Sequence, residues 1–283
     1  MKRIAVLAIL LAIGPTTDRN ATADTYDVYL LAGQSNMDGR GSAEKLSPTQ
    51  RQPSENAIIY YRNPPHSSDG WVPLIPGYSI PPKYKGVKYK GKLPSPTFGP
   101  EIGFTEAMLK ADPTTKLALI KGSKGGTNLR VDWKPGKKDD PESQGERYRF
   151  FVETIRTALE KLTQDGHQFR IRGLLWHQGE GDSKSSAAKY EGRLREFIDR
   201  IREDIGVAEL PVIVGEVFDN GKRDGVREAV NSIGASGPLF GVVSSEGTTT
   251  WDPGTHFDAR SQILMGQRYA DAVLSIIGEK ASP

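Results

Sequence analysis

Short runs of aliphatic residues alternate along this chain with longer segments of helical period, and that alternation constrains the fold more than any other feature. The runs are Asp27–Ala32, Ala57–Tyr61, Lys116–Lys121, Ile171–Trp176, Pro211–Glu216 and Leu239–Ser244. Most are apolar at consecutive positions, the pattern of strands buried on both faces of a parallel sheet. The helical segments are Glu101–Ala111, Gly145–Thr163, Ala187–Ile205 and Ala259–Ile277. The first follows Pro100 and stops before Asp112-Pro113, ordinary start and stop signals. In the second, Phe150, Phe151, Ile155, Ala158, Leu159 and Leu162 form one apolar stripe. A β-α-β-α order with right-handed crossovers predicts an α/β protein, a three-layer α/β/α sandwich on a flavodoxin-like parallel sheet.

One stretch breaks the pattern. Arg62 to Phe98 is rich in Pro, Gly, Lys and Tyr and has no clear period. It holds Trp71, Tyr78, Tyr84 and Tyr89 among Lys83, Lys85, Lys88, Lys90 and Lys92. A connection this long inside a compact domain is functional or irregular. Aromatic faces suit sugars and lysines suit acidic groups; a solvated surface lobe needs neither.

The N-terminus reads as a secretory leader. Met1-Lys2-Arg3 is basic, Ile4 to Ile13 is apolar but too short to span a bilayer, and Ala21-Thr22-Ala23 offers small residues at a cleavage site. Residues 1–23 are therefore expected to be removed on export, leaving one domain over 24–283 and no stable membrane insertion. The formal net charge is +3; Lys2, Arg3 and Arg19 against Asp18 account for most of it, so the basic balance does not point to nucleic acid. The absence of cysteine excludes a thiol nucleophile and a Cys-ligated zinc.

The first aliphatic run continues into Gly33-Gln34-Ser35-Asn36-Met37. A serine there stands at the carboxyl end of the first strand, where parallel α/β sheets place reactive groups. A serine hydroxyl needs a base. The four histidines are His66, in the irregular stretch, His167, in a polar turn, His177, at the end of the fourth run, and His256, in a loop before the last helix. Spacing alone favours neither His177 nor His256. Three other patterns resemble functional motifs. Gly181-Asp182-Ser183 follows a middle strand and reads as a helix cap. Gly122-Ser123-Lys124-Gly125-Gly126 lacks the ending of a phosphate loop. His177, Glu180, His256 and Asp258 lack the spacing of a metal site, and neither metal nor cofactor is expected.

The chain resembles the sialate O-acetylesterase and acetylxylan esterase branch of the SGNH hydrolases, carbohydrate esterase family 6. Four blocks carry the resemblance: Gly33 to Met37, Phe98-Gly99-Pro100-Glu101-Ile102-Gly103-Phe104, Lys124-Gly125-Gly126-Thr127, and Trp176-His177-Gln178-Gly179-Glu180. Thr255-His256-Phe257-Asp258 also fits. The resemblance implies the SGNH hydrolase fold, Ser35 as nucleophile and His256 as general base. It implies an oxyanion hole made by the Ser35 N–H, a glycine N–H from Gly125-Gly126 and the Gln178 side chain. Gln34, Asn36, Met37, Thr127, His177 and Trp251 are the expected substrate contacts, with Trp133 a further pocket candidate.

The family usually keeps an aspartate three residues before the histidine. Here that position is Pro253. Glu180 is the first candidate to orient His256, and Asp252 the second. The expected function is a secreted serine esterase that removes acetyl groups from carbohydrate. The alternatives are a carbohydrate-binding protein on an inactive scaffold and a general short-chain or lipase-like esterase.

Overall fold

The computed structural model describes residues 23–80 and 96–281. Nearly all of the expected leader, and the middle of the irregular stretch with Tyr84, Tyr89 and Lys83 to Lys92, lie outside the described residues. Six parallel strands form the central sheet: β1 (Thr25–Gly33), β2 (Ala57–Asn63), β3 (Lys116–Lys121), β4 (Gln168–His177), β5 (Val212–Gly215) and β6 (Phe240–Val243). Their spatial order is β2-β3-β1-β4-β5-β6. Without β2, the remaining five have the 2-1-3-4-5 order of a flavodoxin-like sheet, and β2 extends it past β3. The winding direction reverses at β1, so the crevice outside its carboxyl end is the natural ligand position.

The flanking helices are a short α1 (Ser35–Asp38), α2 (Glu101–Ala111), α3 (Glu146–Gln164), α4 (Ala187–Ile205), α5 (Asp224–Gly234) and α6 (Ala259–Ala281). Alternate residues of β1 separate the two layers. Val28, Leu30 and Ala32 pack with α3, α4 and α5, whereas Tyr29 and Leu31 pack with α2 and α6. Fully burying each such aliphatic side chain contributes about 1.5–3 kcal/mol, and this drives the three-layer arrangement.

Two details differ from the sequence reading. No element was expected over α5, although Val226, Ala229, Val230 and Ile233 are buried at helical spacing there. Phe150 is not part of the α3 core stripe. It lies half-buried beneath the guanidinium groups of Arg62 and Arg147, at 4.6 and 5.1 Å, while Tyr148 and Val152 complete the stripe.

Short strands at His66–Ser67 and Val72–Pro73 pair antiparallel with β2. Trp71 donates its indole N–H to the Ala158 carbonyl at 2.8 Å and packs edge-on against Tyr60. Tyr78 is buried beside Tyr61. These two aromatics of the irregular stretch thus support the domain. Among the described residues no helix is long and apolar enough to cross a membrane.

Candidate active site

The turn that carries Ser35 is built by a close approach of two strands. At Gly33, φ is 141° and a Cβ would lie 2.0 Å from the His177 carbonyl oxygen, so only glycine lets β1 end against β4. The Gln34 N–H donates to that carbonyl at 2.9 Å, and α1 then begins at Ser35. A buried polar base holds α1 from below. The Asp38 carboxylate accepts from Arg40 Nη1 at 2.6 Å, Tyr61 OH at 2.9 Å, Asn63 Nδ2 at 3.0 Å and the Ile80 N–H at 3.0 Å. Burial works to raise its carboxyl, but Arg40 and Lys121 hold it below the usual range. Buried Lys121 donates to the Asp38 and Tyr78 carbonyls at 2.7 and 2.8 Å and to Glu101 at 2.8 Å.

The loop before α6 carries the histidine. It bends at Pro253-Gly254, where Gly254 has φ 74° and its N–H meets the Asp252 carbonyl at 2.6 Å. That bend turns Asp252 back under His256. Asp252 Oδ1 accepts the N–H groups of Thr255 and His256 at 3.1 and 2.7 Å, and Oδ2 lies 2.6 Å from His256 Nδ1. Burial acts to raise the Asp252 carboxyl, but the backbone and ring N–H of His256 outweigh it and hold the group below its ordinary value. Nδ1 therefore carries the proton, which leaves the Nε2 lone pair facing Ser35 Oγ at 3.0 Å. Trp251 stacks on the imidazole, with ring centroids 5.5 Å apart and planes 10° from parallel, and is 39% exposed.

The structure thus brings together Ser35, His256 and Asp252. It does not bring Glu180 to the imidazole: its Oε1 instead accepts from Asn36 Nδ2 at 2.5 Å. Burial raises the Glu180 carboxyl, against the pull of its own backbone N–H, Arg223 and Asn36. The preference for Glu180 over Asp252 as the orienting acid is corrected on this geometry.

Gly125 lies directly against Ser35. A Cβ there would sit 3.4 Å from Ser35 Cβ and 3.0 Å from Arg40 Nη2. Among the described residues, neither the Ser35 nor the Gly125 N–H is matched to a protein acceptor. Around Gly126, φ is 75° and a Cβ would meet nothing within 4 Å.

Gln178 does not fit its expected oxyanion role. Its Nε2 faces Asp182 Oδ2 at 2.9 Å and Gln34 Oε1 and the Thr127 carbonyl at 3.1 Å each, so both of its N–H groups are committed within the protein. Most of the expected substrate contacts are corrected for the same reason, because they are buried and occupied. Gln34 accepts the Gly181 N–H at 3.0 Å, and Thr127 bridges Trp133 Nε1 and the Lys124 carbonyl. Met37 and Trp133 are core residues. Asn36 is buried and bonded to the histidine loop. His177 is buried beneath Phe257 with Nδ1 on Tyr269 OH at 3.1 Å, and burial pushes its pKa down to about 3. Trp251 alone of that set is exposed.

The remaining motifs are structural. Asp182 of the Gly-Asp-Ser turn accepts the Leu129 N–H at 2.7 Å, and the cap position of α4 is taken by Ser186, not Ser183. Gly122-Ser123-Lys124 continues the parallel pairing of β3 with β1, with the Gly122 and Lys124 N–H groups on the Leu31 and Gly33 carbonyls. No group of three or more metal-ligating side chains is placed to hold an ion among the described residues. Sequence reasoning missed Arg223, which grips the histidine loop through the Gly254 carbonyl at 3.1 Å and Thr255 Oγ1 at 3.2 Å. Its position just before the unrecognised α5 hid it.

A serine, an imidazole and a carboxylate in series at the carboxyl edge of a parallel sheet form the layout of a serine hydrolase. Residues 25–275 match the model of the family described as carbohydrate esterase, sialic acid-specific acetylesterase, and the chain belongs to that family. A protein of Arabidopsis thaliana named as a probable carbohydrate esterase is 25% identical over 265 residues, covering 88% of this chain and 90% of its own. A crystal structure of an Arabidopsis thaliana protein superposes with a TM-score of 0.66 at 22% identity, covering 89% of this chain and 98% of that one. The structure of NanS gives 0.64 at 17% identity, with 91% and 99% covered. A carbohydrate acetylesterase from Xanthomonas citri gives 0.60 at 17% identity, with 89% of this chain and 57% of that one covered. The structural likenesses bear on the fold, an α/β sheet flanked by helices.

Proposed function

We propose that the protein is an exported serine esterase that removes O-acetyl groups from carbohydrate through an acyl-Ser35 intermediate. The observation that carries this reading is the hydrogen-bonded series from Asp252 through His256 to Ser35, at 2.6 and 3.0 Å. His256 Nε2 takes the Ser35 proton as Oγ bonds to the acetyl carbon. The N–H groups of Ser35 and Gly125 receive the charge that develops on the carbonyl oxygen. His256 then returns the proton to the sugar oxygen as the C–O bond breaks. Water, activated by the same imidazole, releases acetate and regenerates the serine. Asp252 holds the tautomer throughout and stabilises the imidazolium.

Family membership supports an acetylated sugar as substrate, with O-acetylated sialic acid first; acetylated xylan comes second, on the motif resemblance alone. Trp251 offers an aromatic surface beside the imidazole that must protonate the leaving sugar. The basic and apolar N-terminal residues support export. The test is p-nitrophenyl acetate hydrolysis by the chain from Asp24 beside a folded Ser35→Ala variant, followed by acetylated sialic acid and xylan. Turnover that disappears with Ser35 is the expected result. Equal rates from both proteins, or no turnover from either, would discard the reading.

A further inference from the structure

Asn36 follows the proposed nucleophile directly, yet its side chain turns away from it and is fully engaged elsewhere. Nδ2 donates to the Thr255 carbonyl at 2.9 Å, and Oδ1 accepts the Phe257 N–H at 3.0 Å. Thr255 and Phe257 are the two chain neighbours of His256. One amide therefore holds the backbone on both sides of the imidazole while its own backbone continues into Ser35. The Asn36 carbonyl is pinned in turn by Gln262 Nε2 at 3.2 Å, from the first turn of α6.

Glu180 completes the junction. Its Oε1 takes the second Nδ2 proton at 2.5 Å. Its Oε2 is shielded from solvent and unpaired among the described residues, so no ion pair accounts for where the carboxyl sits. The acceptor at Oε1 has a definite consequence for the amide. Rotating Asn36 by half a turn would set Oδ1 against both Glu180 and the Thr255 carbonyl, and Nδ2 against the Phe257 N–H. All three contacts would become repulsive, so Glu180 reinforces the amide orientation that the Thr255 carbonyl and the Phe257 N–H already favour.

We infer that Asn36 is a positioning residue that keeps the histidine loop in register with Ser35, and that Glu180 acts through Asn36 by fixing its amide. The Ser35 and His256 side chains come from segments 221 positions apart, and no shared secondary structure sets their 3.0 Å separation. Arg223 holds the same loop from the opposite side, at Gly254 and Thr255. Asn36 is the tie that runs to the nucleophile turn itself. A displacement of about 1 Å between reacting groups costs on the order of 10²-fold in rate, which is the scale on which this tie acts.

The inference rests on the proposed Ser35 chemistry, and its test separates the two. The variants are Asn36→Ala, Glu180→Ala, Glu180→Gln and the double alanine. Each is followed by p-nitrophenyl acetate kinetics, by thermal unfolding, and by the low-field proton resonance of His256 Nδ1. Asn36→Ala and Glu180→Ala should each lower kcat by about 10–100-fold with KM changed less than about twofold, because alignment and not substrate binding is lost. The double variant should be no slower than Asn36→Ala alone, since Glu180 acts through Asn36. Glu180→Gln retains the acceptor oxygen and should keep at least about a third of the activity, a rescue that a directly acting acid would not allow. Equal losses for Gln and Ala at position 180, additive losses in the double variant, or an unchanged kcat in Asn36→Ala would each overturn the inference. Should Asn36→Ala fail to fold, the contrast between the two Glu180 variants decides it alone. The resonance is also read in Ser35→Ala with and without Asn36→Ala. Broadening only when Asn36 is replaced supports the tie even if turnover proves independent of Ser35, and an unchanged resonance overturns it.

Discussion

Asp252 Oδ2 lies 2.6 Å from His256 Nδ1 although the two residues belong to one irregular loop and are four positions apart. The contact exists because Pro253-Gly254 reverses the chain and Oδ1 takes the N–H groups of Thr255 and His256. Asp252→Asn keeps the size of the side chain but presents an amide where the ring needs a carboxylate. It should lower kcat by about 10³–10⁴-fold, through the wrong imidazole tautomer, with little change in KM. Steady-state kinetics check this; a loss of less than tenfold would remove Asp252 from the proposed series.

His177 should make stability depend on pH. Its pKa falls from 6.5 when unfolded to about 3 when folded, because burial disfavours the charged ring and Arg223 adds to that effect. Between those values the unfolded chain binds a proton that the native state refuses. The stabilisation is therefore complete above about pH 6.5 and is lost as pH falls towards 3, on the order of 5 kcal/mol in all. In urea titrations His177→Gln should show a shallower loss of stability than the wild type across that window. Parallel curves would mean that His177 does not titrate in this way.

Lys121 is fully buried, and its ammonium is matched by the Glu101 carboxylate and two carbonyls. Lys121→Met leaves Glu101 as an uncompensated buried charge and should cost about 3–5 kcal/mol. Adding Glu101→Gln should recover part of that loss, because the stranded charge is then gone. Chemical denaturation of the single and double variants measures both effects; a double variant no more stable than Lys121→Met would contradict the argument.

Trp251 and His256 stack with their planes 10° apart. If the indole supports the leaving sugar, Trp251→Ala should raise KM for an acetylated sugar by about 2–12-fold, the equivalent of 0.5–1.5 kcal/mol of stacking. The p-nitrophenyl acetate rate should stay within about threefold, since that leaving group has less to gain from a sugar platform. Equal losses on both substrates would point instead to an effect on the imidazole.

The layers of the fold were legible in the sequence because burial leaves a local record. Consecutive aliphatic residues mark strands covered on both faces, and all six expected runs became strands of the parallel sheet. The same kind of record exists in Val226, Ala229, Val230 and Ile233, but the Gly and Asn residues within that segment weakened the helical signal of α5. Phe150 shows the limit of periodicity. An aromatic at the edge of a stripe can turn out to meet a guanidinium from another element, and Arg62 is 88 positions away.

Polar partners leave no such record. The sequence by itself determined the α/β alternation, the serine at the end of the first strand and a short set of candidate bases and acids. Motif resemblance then singled out Ser35 and His256. Only the tertiary structure decided that Asp252 and not Glu180 meets the imidazole, that the Gln178 amide is consumed inside the protein, and that Asn36 joins the serine turn to the histidine loop. The reason is physical: apolar burial is additive along a chain and repeats with its secondary structure, whereas a hydrogen bond depends on tenths of an ångström and on an angle. Those are fixed only once distant segments have packed.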